Sequence, residues 1–130
     1  MHTDGEIYHL ARLAKRLETD EVIEAFYLLI SELYRQHGEI LRPASQGDFS
    51  VLQIRPDGKN CFAFKGAKER IRFYFRKPAF GNELSNYREV LETFPWADEV
   101  QNGEIAVNIR NLTDAKLLLV YLARIIHEAA

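Results

Sequence analysis

Several residue types that support particular chemistries are scarce in this chain of 130 residues. It has one cysteine, which excludes a disulfide framework within the chain, and its four histidines lack the spacing of a zinc site. No secretory leader is evident, and the longest apolar run, 117–123, is far shorter than the ~20 residues of a membrane-spanning helix. We therefore expect no metal, no cofactor and no membrane partner, with a reducing cytoplasm as the compartment.

Positive charge is not in excess overall, because 17 Lys and Arg are set against 19 Asp and Glu. Its distribution is uneven, however. Segment 55–77 contains eight cations and two carboxylates, a net charge of +6, whereas 1–54 and 78–130 are each −4. A local block of one sign is a candidate surface for an oppositely charged partner. We call 55–77 the basic segment.

The basic segment contains two stretches with the alternating pattern of β-strands. Phe62 and Phe64 fall on one side of the first stretch. Ile71, Phe73 and Phe75 fall on one side of the second. The short loop between the stretches begins with a glycine and has a usual hairpin length. Shifting either strand by one residue would expose the rings and bury the cations, so the pattern predicts a hairpin of defined register.

Apolar residues recur at helical spacing in four stretches, two before the basic segment and two after it. The second helix is predicted to begin after a cap at Thr19 or Asp20 and to stop at Gly38, and Thr113 is predicted to cap the last helix. That last helix is apolar nearly all round, which is typical of a buried helix or of a subunit interface. The first, third and last predicted helices span 4–18, 84–94 and 114–128.

Further strands are predicted at 39–42, 49–55 and 104–110, where the alternation resumes. The element order is then helix, helix, strands, helix, strand, helix, with no linker that would divide the chain. This order predicts a single two-layer α+β domain, 1–130. In it an antiparallel sheet of about four strands carries helices on one face.

The candidate site lies on the other face of this sheet, opposite the buried rings. Cationic side chains there can neutralise phosphates, and the outward ring of Tyr74 can stack on one base. Asn108 and Arg110 of the last strand would extend this face. The alternative is an ordinary solvated face whose arginines pair with carboxylates. The predicted anion- or nucleic-acid-binding residues are Lys59, Lys65, Lys68, Arg70, Arg72, Tyr74, Arg76 and Lys77.

The same segment also has one possible enzymatic interpretation. Pro56-Asp57 precedes a strand that ends in Lys65, which is the outline of a metal-dependent nuclease of the PD-(D/E)xK type. Such chemistry requires a second carboxylate two residues before the lysine, and Ala63 occupies that position. Pro56-Asp57-Gly58 is therefore predicted to be a turn, and no catalytic residue is predicted.

Trp96, in the loop after Pro95, has two interpretations. It either covers the edge of the core or anchors a partner, because Trp is enriched at binding hot spots. Taken together, the sequence predicts a small non-catalytic binding domain whose basic sheet face contacts an anionic partner, with nucleic acid as one such partner. The alternative is a protein-interaction or homodimerisation module that uses the C-terminal helix or the N-terminal helices.

Overall fold

The computed structural model of this protein describes residues 14–38, 41–43, 51–54, 61–81 and 85–129. These residues form four helices, one 3-10 turn and six strands, with their connections. The helices are α1 (Asp20–His37), α2 (Lys77–Gly81), α3 (Tyr87–Thr93) and α4 (Leu112–Ala129), and the 3-10 turn is Gln101–Gly103. The strands are β1 (Leu41–Pro43), β2 (Val51–Ile54), β3 (Phe62–Gly66), β4 (Ile71–Phe75), β5 (Asp98–Val100) and β6 (Glu104–Ile109).

All six strands belong to one antiparallel sheet with the order β1-β2-β3-β4-β6-β5. The predicted α+β class, with helices packed on an antiparallel sheet, is confirmed. The sheet is wider than the four strands expected, because three-residue strands, β1 and β5, form its two edges. Since β6 pairs with β4, residues that follow α3 are placed directly beside the hairpin.

The predicted hairpin and its apolar face are confirmed, although Gly66, predicted in the loop, ends β3 opposite Ile71. β3 pairs with β4 so that Phe62 lies opposite Phe75 and Phe64 lies opposite Phe73. These four rings and Ile71 are fully buried. Neighbouring rings lie 5.3–6.0 Å apart between centroids. Each fully buried side chain contributes on the order of 1.5–3 kcal/mol, so this cluster is a large part of the core.

The helical layer covers the ring-bearing face of the sheet. α1 and α4 pack against each other, and their apolar stripes join the hairpin rings in one core cluster. The N-capping residues of the two helices, Thr19 and Asn111, line the same cavity, so both helices begin at the same end of the layer. The buried residues are Val22, Ala25, Phe26, Leu29 and Leu33 in α1, and Ala115, Leu118, Tyr121, Leu122 and Ile125 in α4.

The two long helices begin at different kinds of cap. Thr19 caps α1 as predicted, and its Oγ1 accepts a hydrogen bond from the Val22 amide at 3.3 Å. The predicted cap of α4 at Thr113 is wrong. Asn111 caps α4 instead, because its Oδ1 accepts a hydrogen bond from the Asp114 amide at 2.9 Å, and Thr113 lies inside the first turn.

Replacing Asn111 with alanine is expected to lower the free energy of unfolding by about 1 kcal/mol, since it removes the acceptor for an otherwise unpaired helical N–H. Urea denaturation followed by circular dichroism measures the loss. Thr113→Ala is the matched control and should change stability by less than about 0.5 kcal/mol. Equal losses for the two variants would contradict the assignment of the cap.

Two predicted elements fall outside the described ranges: most of the helix 4–18 and the turn 56–58. The strand predicted at 104–110 is confirmed as β6, with Ile105, Val107 and Ile109 fully buried. In the part of the chain that the structure describes, no helix is both long enough and apolar enough to cross a membrane.

Candidate anion-binding site

Arg72 occupies the centre of the sheet face opposite the rings. Its Nη1 donates hydrogen bonds to Asp98 Oδ2 at 3.1 Å and to Asn108 Oδ1 at 3.0 Å. Its Nε donates to the Tyr74 hydroxyl at 3.3 Å. Only 17% of the Arg72 side chain is exposed. The guanidinium is therefore already surrounded by acceptors of the same chain.

The sheet register explains why Arg72 needs this carboxylate. Lys65 lies directly opposite Arg72 on β3, and like charges in that relation repel. Asp98 on β5 is paired with Ala106 of β6. Ala106 is two residues from Asn108 on the same face of β6, and Asn108 is paired with Arg72. Hydrogen bonds from Asn108 and Arg72 hold the pKa of the Asp98 carboxyl below its usual value, so Asp98 is ionised at neutral pH and offsets the guanidinium charge.

Arg76 and Lys77 share a second carboxylate. The last pair between β4 and β6 joins Phe75 to Ile105. Because the strands are antiparallel, Arg76, which follows Phe75, lies beside Glu104, which precedes Ile105. Arg76 Nε lies 3.4 Å from Glu104 Oε2, and the Lys77 backbone amide donates to the same oxygen at 3.3 Å. The charge of Arg76 is therefore also offset from within the chain, whereas Lys77 meets this carboxylate through its backbone amide.

Trp96 and Arg110 lie at the C-terminal end of β6. Trp96 Nε1 donates to the Asn108 carbonyl at 2.8 Å, and its ring meets Phe94 edge to face at 5.9 Å. The Arg110 guanidinium lies 4.9 Å from the indole centroid and pairs with Asp114 at 2.8 Å. These contacts favour the interpretation that Trp96 covers the edge of the core. They also show that Arg110 is held by a carboxylate.

A different arrangement surrounds the hairpin loop. An open cavity of about 490 Å³ lies between this loop and the residues that precede α1. The Glu18 amide donates to the Lys68 carbonyl at 2.7 Å, which joins the two walls. We call this feature the lysine cavity. Its lining residues are Lys15, Arg16, Glu18, Lys65, Gly66, Ala67 and Lys68.

The described residues that line the lysine cavity include four cationic side chains and one carboxylate. Within the described ranges, none of Lys15, Lys65 and Lys68 forms an ion pair, in contrast to Arg72 and Arg76. Lys15 and Lys68 are exposed, and Lys65 is half-buried. Each ammonium presents three hydrogen-bond donors. The cavity therefore offers uncompensated positive charge to an incoming anion.

The structure divides the eight predicted site residues. Lys65 and Lys68 line the lysine cavity, and Lys65 also lies opposite Arg72 on the sheet. Arg72 and Tyr74 lie on the sheet face, Arg76 follows β4, and Lys77 begins α2. Arg70 is exposed and lines a neighbouring cavity. The charges of Arg70 and Arg110 in that cavity are matched in number by the carboxylates of Glu21 and Glu69. Lys59 lies outside the described residues.

Lys15 and Arg16 were missed as candidates because they precede the basic segment by about forty residues in sequence. Their proximity to the loop is a property of the tertiary structure. The one sequence signal is that two adjacent cations stand near the end of the predicted first helix.

Known proteins provide no guide to this site. Comparisons of the chain with protein-family models, curated proteins and solved structures find no match. Among the residues that the structure describes, no three His, Cys, Asp or Glu side chains are grouped so as to hold a metal ion. The charge and the shape of the surface are therefore the observations that bear on function.

Proposed function

We propose that this protein is a non-catalytic binding domain for nucleic acid, and that the lysine cavity contacts the phosphate backbone. One observation carries the proposal: Lys15, Lys65 and Lys68 line a single cavity without an ion-pair partner in the described part of the chain. Phosphate groups are the polyvalent anions that such a cluster neutralises best.

The proposed phosphate contact lies beside the hairpin loop, whereas the sequence pattern predicts it on the sheet face. A phosphate that approached Arg72 or Arg76 would have to displace Asp98 or Glu104, at the cost of the hydrogen bonds described above. A phosphate that approaches Lys65 or Lys68 displaces only water. The lysines are therefore the stronger ligands, although the arginines add to the local positive potential.

The composition of the cavity also indicates the mode of recognition. Among the described residues, no aromatic side chain lines it, so these residues offer no stacking platform for a base. Lysines act as point charges and carry no base readout. Binding should therefore be weak, tolerant of sequence and steeply dependent on salt, with a slope of log K against log salt of about −3 if three phosphates are neutralised.

Fluorescence anisotropy with labelled single- and double-stranded oligonucleotides tests the proposal at two salt concentrations. The double variant Lys65→Ala plus Lys68→Ala is expected to bind about tenfold more weakly and to reduce the salt slope by about 2. Arg88→Ala is the matched control, because Arg88 is an 89% exposed cation on α3, and it should bind as the wild type does.

Two results would contradict the proposal. The first is the absence of oligonucleotide binding by the wild type at low salt. The second is unchanged binding by the lysine double variant together with a loss in Arg72→Glu plus Arg76→Glu, which would return the contact to the sheet face. Circular dichroism of each variant establishes that it is folded.

A further inference from the structure

The outer surface of the helical layer carries an unusual concentration of apolar side chains. The large hydrophobic residues that are exposed in the described part of the chain all lie on α1 or α4: Tyr27 (63% exposed), Leu112, Leu117 and Val120 (69% exposed). Val120 also lines a groove of about 400 Å³ between the two helices, with Leu28 on one wall and Leu119, Val120 and Ala123 on the other. Concentrated exposed apolar surface of this kind marks an interaction site.

The two helices differ in their net charge, because α1 has four carboxylates and one arginine, whereas α4 has two carboxylates, one lysine and one arginine. α1 carries Asp20, Glu21, Glu24 and Glu32, and its one arginine, Arg35, is already paired with Glu32 at 2.6 Å. On α4 the one carboxylate of the first turn, Asp114, is buried and held by Arg110.

Lys116 is exposed at the rim of the groove on α4. Within the described ranges, neither Glu24 nor Lys116 has an ion-pair partner. The α1 surface is therefore acidic, and Lys116 places a positive charge on the neighbouring surface of α4.

This pattern is complementary to itself under two-fold symmetry. Because α1 and α4 begin at the same end of the layer, a two-fold axis parallel to them places α1 of one copy on α4 of the other, twice. The acidic α1 surface of one copy then meets Lys116 of the other, and the exposed apolar side chains of both copies are covered. Packing α1 on α1 would instead bring two acidic surfaces together.

The size of the surface sets the expected affinity. Two helices of 18 residues, lying side by side, cover about 27 Å by 20 Å. That area, on the order of 550 Å² per partner, is at the lower limit of specific interfaces. We infer that this surface binds a second copy of the chain to form a two-fold dimer, with α1 of each copy packed on α4 of the other, in the micromolar range. This inference is independent of the lysine cavity.

Analytical ultracentrifugation from about 1 to 200 µM tests the dimer, which should become the main species toward the upper concentrations. Val120→Arg is expected to raise the dimer dissociation constant about tenfold or more, because it places a charge in the centre of the contact. Val120 is largely exposed, so the variant should remain folded. Arg88→Ala, on α3, is the control and should dimerise as the wild type does.

A charge exchange tests the orientation. Glu24→Lys and Lys116→Glu should each weaken the dimer several-fold, and the double variant should recover most of the loss, because the opposite charges are then restored across the two-fold axis. A wild type that stays monomeric at the upper concentrations overturns the inference, and so does undiminished dimerisation of Val120→Arg. A double variant no stronger than either single one overturns the arrangement of α1 on α4.

Discussion

Replacing Phe75 with alanine is expected to lower the free energy of unfolding by about 3–5 kcal/mol. Phe75 is fully buried, and its ring connects the two layers of the fold. It contacts Phe62 and Phe73 within the sheet, at 5.3 and 5.5 Å between centroids, and Phe94 and Tyr121 from the helical side, at 6.2 and 5.8 Å. Truncation therefore removes both the transfer free energy of the ring and the contacts around the cavity that remains.

Chemical denaturation monitored by circular dichroism measures this loss, and Phe75→Leu is the matched control. Leucine keeps most of the buried volume, so its loss should stay near 1.5 kcal/mol. The dependence of the unfolding free energy on denaturant should be unchanged in both variants if the native fold is retained. A loss below about 1 kcal/mol for the alanine variant would show that the ring cluster is not central to stability.

Replacing Asp98 with alanine is expected to lower the free energy of unfolding by about 2 kcal/mol, although the Asp98 side chain is itself 53% exposed. The loss arises at its partners. Arg72, only 17% exposed, would retain its charge without a carboxylate, opposite the like charge of Lys65. The Asn108 amide, which donates to Asp98 at 3.2 Å, would lose its acceptor as well.

A double variant separates this effect from a general surface change. Removing both partners, in Arg72→Met plus Asp98→Ala, should cost less than Asp98→Ala alone, because no buried charge is left unpaired. Equal losses would show that Arg72 does not depend on Asp98.

The contribution of Asp98 should also depend on pH. Hydrogen bonds from Asn108 and Arg72 lower the pKa of Asp98 in the folded state, so its contribution is full above the ordinary aspartate pKa of about 3.9 and is lost as the pH falls through the lower folded-state pKa. The stability difference between wild type and Asp98→Asn should therefore shrink on acidification below about pH 4. A difference that is the same at neutral and strongly acidic pH would contradict this assignment.

The sequence was sufficient for the elements whose periodicity is strong. The two faces of the hairpin could be predicted because a period of two places five apolar side chains on one face, and a shift by one residue would expose them. α1 and α4 followed from helical spacing in the same way. Their caps were less certain, since Asn111 and Thr113 are both residues that cap helices and only the backbone path selects between them.

The partners of the sheet arginines could not be predicted, because they come from strands that are distant in sequence. Asp98 is 26 residues from Arg72 and lies on β5, which at three residues is too short to show any alternation. The pairing of Arg76 with Glu104 likewise depends on β6 lying beside β4, which sequence pattern alone does not specify. Charge counting therefore identified the basic segment but not which of its cations are already neutralised.

The two edge strands have a consequence for how molecules of this protein can associate. β1 contains Pro43, which has no N–H to offer a further strand, and β5 presents the exposed carboxylates of Asp98 and Glu99. Short strands, proline and charge at the edge are the features that prevent edge-to-edge growth of sheets into fibres. A peptide or a second sheet would gain few main-chain hydrogen bonds at either edge, so strand addition is disfavoured as a way of recruiting a partner.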